Sequence, residues 1–272
     1  MLRILLVRGM IVGVVAGLLG FGMAKIFGEP QVDRAIAFET QLDEAKAAQE
    51  AAAAAAKTQG GQTKIGGMAA MPGMAPAANV ELVSRHMQSS FGLLTAVVVY
   101  GASFGGIFAL VYAFLLGRID GVSPRGLAAL LALGAFITIA IAPDLKYPAN
   151  PPAIGNPDTI GPRTVLYVAM LIVSIGAMIS AVMIGRGLIA KHGLWSACLV
   201  GAAVYVAIVL IAQLLLPDVN EVPEGFPAVA LWRFRVANLG IQAVLWGSMG
   251  LLFGYLTERS LQSGRAILRP AH

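Results

Sequence analysis

Six predominantly apolar runs set the terms for this chain: 4–27, 90–116, 126–143, 164–185, 195–216 and 236–257. Crossing a hydrocarbon core takes about 20 such residues at a helical rise of about 1.5 Å each. The last five runs contain no Asp, Glu, Lys or Arg. The first carries Arg8 and Lys25 near its ends, where long side chains reach the headgroups. Lipid offers the backbone no hydrogen bonds, so each run must close its own as a helix. The expectation is an all-α integral membrane protein, a six-transmembrane-helix bundle forming one membrane domain over 1–272.

Composition narrows the function classes. Only 12% of the 272 residues are charged, about half the share of a soluble domain, so the lipid bilayer is the natural surroundings. One cysteine excludes a disulfide framework or a multi-cysteine metal site, and three histidines are too scattered for a histidine-box enzyme. The net charge of +5 is not gathered into a patch for nucleic acid, so no nucleic-acid partner is expected. It follows topology instead. With the N-terminus cytoplasmic, Arg3, Arg8, Arg118, Arg125, Arg186, Lys191 and the basic tail lie inside, against two acids, Asp120 and Glu258. The short outer loops then hold Lys146, Arg163, Arg233 and Arg235. Both termini are therefore expected on the cytoplasmic side.

The first run reads as an uncleaved span, because no convincing small-x-small cleavage pattern follows it. Its Gly9, Gly13 and Gly17 make a smooth surface for close helix packing, repeated by Gly101/Gly105 and Gly250/Gly254. Residues 28–89 are expected to form one long extracytoplasmic loop, with ordered ends around a low-complexity Ala/Gly/Met segment over 45–78.

Two short outer hairpins share Pro-Asp-aliphatic with a further proline after two or three intervening residues, starting at Pro143 and at Pro217, which hints at a duplicated two-helix unit. The second, PDVNEVPEGFPAVALWRFR, is braced by proline and holds Asp218, Glu221 and Glu224. Carboxylates at the mouth of a membrane pathway concentrate divalent cations and replace hydration waters with oxygen ligands. Glu29, Asp33, Asp144, Glu221 and Glu224 are the candidate metal ligands, within an outer belt that also includes Glu39 and Asp158. The alternative for this belt is solvated loop charge paired with Arg34, Arg85, Arg163, Arg233 and Arg235, which with Trp232 would give the loops their shape.

Met68, Met71 and Met74 are candidate soft-metal ligands suited to Cu(I), and His86 a candidate imidazole ligand. The bland alternatives are ordinary hydrophobes in a tether and a polar anchor at the interface. Cys198 reads as a small core residue. Asn238 and Gln242 follow Arg235 on one helix face, where they line a pathway or hold neighbouring helices. No Walker-type phosphate loop, H-E-x-x-H or G-x-S-x-G is present, so no enzyme class gains support.

At GEPQVDRAIAFE (28–39), VSRHMQSSFGLLTA (83–96), LKYPANPPAIGNPDTIGPRT (145–164) and VNEVPEGFPAVALWRFR (219–235) the chain resembles the CbtA family, predicted cobalt-transporter subunits of bacteria. The resemblance implies a multi-pass permease subunit of the bacterial cytoplasmic membrane that works with a small single-span, histidine-rich CbtB-type subunit. It implies Co²⁺ as cargo rather than a stably bound cofactor. A homo-oligomer is compatible with this reading. Two rivals stand beside it. A non-transporting scaffold would depend on Trp232 and the loop arginines more than on the carboxylates. A copper-handling protein would fail on deletion of 66–78.

Overall fold

A computed structural model describes residues 2–59, 84–119, 121–152 and 154–267. Among these residues there is no strand, and five helices are long and apolar enough to cross a membrane. They are α1 (Leu2–Ala56), α2 (Arg85–Leu115), α3 (Pro124–Lys146), α4 (Pro157–Leu215) and α5 (Ala228–Ser263).

Helix α4 contains two of the six apolar runs. Gly193, with φ 75° and ψ 168°, breaks it in a conformation that side chains with a Cβ rarely adopt. The two arms fold back on each other. A Cβ built on Gly201 would stand 3.0 Å from the Ala181 carbonyl oxygen, and one on Gly185 3.3 Å from that of Ala197. The Ser174 and Tyr205 hydroxyls share a hydrogen bond of 3.0 Å across the same seam. The arms are thus antiparallel, with Gly193 at the tip.

Lipid supplies no hydrophobic drive between helices, so the bundle depends on backbones coming close. The glycine stripes provide this within the chain. Gly9, Gly13 and Gly17 of α1 lie against Gly105, Gly101 and Val97 of α2 in antiparallel register, and a Cβ at any of the three would overlap a carbonyl oxygen. Gly250 and Gly254 of α5 meet Ala132 and Ala128 of α3, and a Cβ on Gly254 would be 3.1 Å from that of Ala128. The core gathers between these pairs, around Val12, Phe108, Tyr112, Leu127, Met249 and Phe253. Tyr112 and Phe253 meet edge to face, their ring centres 4.9 Å apart.

Three helices carry a π-helical turn near the same end: Ala24–Gly28, Gln88–Gly92 and Phe136–Ile141. Two of them run up to within two residues of a proline, Pro30 and Pro143. A proline inside a helix removes one donor and crowds the carbonyl a turn earlier, and a widened turn accommodates both effects.

The expected loop after the first run begins as helix. Glu29–Gln59 continues α1 by roughly 45 Å at about 1.5 Å per residue. Ala35 is buried there with Ile154, Phe226 and Ala230, and the Phe38 and Phe226 rings meet 5.1 Å apart. Beyond this contact the helix is exposed from Glu39 to Ala56, save a half-covered Leu42.

Charge separates along the bundle. Arg8 donates to Thr257 at 3.2 Å, Arg186 donates to the Arg118 carbonyl at 2.8 Å, and Arg125 lies against Gly254. These bases share one end. The acidic loops occupy the other.

Candidate functional site

At the acidic end, the segment between α3 and α4 and the one between α4 and α5 clasp each other. Lys146 pairs with Asp218, and the Tyr147 hydroxyl donates to the Pro217 carbonyl at 2.9 Å. Asn156 caps the turn Pro157–Thr159 by accepting from the Asp158 amide at 3.0 Å, which leaves its own amide facing the opposite loop. Glu221 takes that amide on Oε2 at 2.7 Å and the Thr159 hydroxyl on Oε1 at 2.6 Å. Arg163 stands 3.4 Å from the same carboxylate and donates to the Asn156 carbonyl at 3.1 Å. The Thr159 hydrogen bond, then the Asn156 amide and the Arg163 charge, hold the Glu221 carboxyl below its ordinary range. Gly155, with φ +117°, leaves its missing side chain's place to the Arg163 guanidinium.

Beneath the clasp lies a cavity of about 470 Å³. Tyr147, Asn150, Thr164, Tyr167 and Glu221 line it together with Asp144, Arg235, Asn238 and Gln242. Asp144 sits in the last turn of α3, half-buried, and accepts from Asn238 of α5 at 2.8 Å. Arg235, one turn nearer the loops, donates to the Asn150 side chain at 2.9 Å. The helical spacing of Arg235, Asn238 and Gln242 therefore aims all three into one chamber.

The other candidates fall elsewhere. Glu29 and Asp33 lie on the extension of α1, where Arg85 reaches them at 2.7 and 3.5 Å. Arg34 donates to the buried Gln31 at 2.9 Å. His86, Glu224, Trp232 and Arg233 are exposed, as are Glu39 and Asp158. Cys198, expected in the core, is also exposed on the apolar surface. Its run faces outward on most sides because the second arm of α4 is covered chiefly by the first. Met68, Met71 and Met74 lie outside the described residues. Within the outer belt, Glu29 and Asp33 thus gather around Arg85, while Asp144 and Glu221 line one cavity from different elements. Among the described residues no three His, Cys, Asp or Glu side chains come together as a metal cage.

Sequence reasoning passed over Asn150, Asn156, Thr159 and Tyr167. A signal was present: Asn150, Asn156 and Thr159 lie within LKYPANPPAIGNPDTIGPRT, where proline and asparagine density marks shaped backbone.

No curated protein and no solved structure matches this chain. A family model does. CbtA, described as "Probable cobalt transporter subunit (CbtA)", matches residues 2–258. That span takes in both arms of α4, both interlocked loops and every described residue that lines the cavity. A multi-pass helical bundle with a polar chamber at one end suits a transport subunit in a membrane. This chain belongs to the CbtA family of probable cobalt transporter subunits.

Proposed function

We propose that the chain is the permease subunit of a system that takes up a divalent transition-metal ion, Co²⁺ first, across the bacterial cytoplasmic membrane. It crosses six times, α4 passing out and back about Gly193, with both termini on the cytoplasmic side. The observation that carries the reading is Asp144. It is a half-buried carboxylate that lines the chamber, held in place by Asn238, beside loops rich in further carboxylates. Glu29, Asp33 and Glu224 act at the rim, where they raise the local cation concentration. Glu221 keeps the entrance in shape.

Asp144 supplies an oxygen ligand, and the amides of Asn238 and Gln242 offer carbonyl oxygens along the path inward. Inward movement of a cation is favoured by the membrane potential, by about 2.3 kcal/mol per charge per 100 mV. A histidine-rich single-span partner of the CbtB type would provide the imidazoles that this chain lacks.

The deciding experiment is radioactive cobalt uptake into vesicles holding the full chain, alone and with its candidate partner. Wild-type vesicles accumulate cobalt and Asp144→Asn vesicles do not. A wild type that moves no cobalt, offered hydrated or chelated, alone or with the partner, ends the permease reading. An Asp144→Asn variant with full uptake removes that residue from the path.

A further inference from the structure

The chamber's four charges are not equivalent. Glu221 and Arg163 are committed to each other and to the loop, through Asn156 and Thr159. Asp144 and Arg235 are left. They line the same cavity from α3 and α5, yet among the described residues no ion pair joins them. Each is held by a neutral amide instead, Asp144 by Asn238 at 2.8 Å and Arg235 by Asn150 at 2.9 Å. Asn150 takes up one terminal nitrogen of the guanidinium. The Arg235 Nε is buried and has no protein acceptor among the described residues.

This arrangement discriminates between cargoes. A bare dication is drawn to Asp144 and repelled by Arg235, and of the two lining carboxylates the other, Glu221, is already bound to the loop, whereas a cation site ordinarily supplies several charged oxygen ligands. A simple anion meets the converse conflict. A ligand with a positive and a negative part, spaced to reach both residues, satisfies both. An arginine with donors to spare also suits a carboxylate, which it binds through two parallel hydrogen bonds.

We infer that the chamber takes its dication as a complex with a small carboxylate-bearing anion, with the metal toward Asp144 and a ligand carboxylate on the guanidinium of Arg235. The inference rests on the permease reading and names the form of its cargo. The chelating anion brings the oxygens that the protein does not supply, and its charge cancels the repulsion from Arg235. Arg235 is then a specificity-determining residue, selecting the complexed metal over the hydrated ion.

The test is equilibrium binding of radioactive Co²⁺ to the purified full chain, with and without equimolar citrate. Citrate is expected to tighten binding by about tenfold or more, the scale of one well-placed charged contact. Arg235→Gln removes the citrate-dependent gain and, by removing the repulsion, tightens hydrated-ion binding, while Arg235→Lys keeps the repulsion and restores part of the gain. Thermal unfolding of both variants verifies their folding. Equal binding of hydrated and complexed cobalt overturns the inference. So does a gain that survives in Arg235→Gln, or citrate without metal binding as tightly as the complex. Vesicle uptake separates the two readings. Uptake of hydrated Co²⁺ that Arg235→Gln leaves unchanged overturns the inference while the permease stands. Citrate-dependent binding without any transport preserves the inference about the chamber and ends the permease reading.

Discussion

Asn238 donates its side-chain amide to the Asp144 carboxylate at 2.8 Å, across 94 residues of chain. The bond joins α5 to the last turn of α3 and fixes one oxygen of the acid, so that the carboxylate faces the chamber in a defined orientation. A second consequence is mechanical, since the two helices cannot slide past one another at that end without breaking it.

Asn238→Leu is therefore expected to lower cobalt uptake by about tenfold, the scale on which loss of a group orienting a metal ligand is felt. Asn238→Asp places two carboxylates together and shifts the pH dependence of uptake. Both are read from initial uptake rates in vesicles. An Asn238→Leu protein with wild-type rates would mean that the amide is only packing between helices.

Glu221 predicts a pH dependence of stability. Its carboxyl is held below the ordinary 4.5 in the folded chain, so the unfolded chain binds the proton more readily. The stabilising contribution is complete above about pH 4.5 and is lost as pH falls through the lower folded value. Wild type should thus melt above Glu221→Ala near neutral pH, and the gap should narrow in acid. Melting temperatures of both proteins in detergent, followed down the acid range, check this. A gap that widens in acid would contradict it.

The α1–α2 contact leaves no space for a side chain. Gly13→Val places a Cβ into the Gly101 carbonyl, and the overpacking is expected to cost about 1–3 kcal/mol or more. Gly22→Ala, with nothing within 4 Å of its Cβ, is expected to be close to neutral. Thermal unfolding of the pair side by side distinguishes a packing stripe from a merely glycine-rich one.

Gly193 divides α4 into two arms, and the proposed six-span topology makes each arm a crossing. Cysteines introduced singly at Lys191 and Glu224, with Cys198→Ser as background, should label from opposite faces of sealed vesicles. Labelling from one face would reduce six crossings to five. Gly193→Val is expected to cost about 1–3 kcal/mol, the scale of a strained backbone at positive φ.

Hydropathy located the apolar helices, because a segment in lipid has few ways to satisfy its backbone, but not the helical continuation over Glu29–Gln59 or the joining of two runs in one helix at Gly193. The glycine spacings likewise foretold close helix contacts, and that they lie within the chain was settled by the fold. The acids were harder. Glu29, Asp144, Glu221 and Glu224 look alike as letters, but their roles depend on neighbours far along the sequence: Arg85, Asn238, Thr159 with Asn156, and open solvent. No local pattern encodes those distances. Tertiary packing decided that Asp144 and Arg235 share one chamber without an ion pair, each hydrogen-bonded instead to an amide of another element, Asn238 and Asn150.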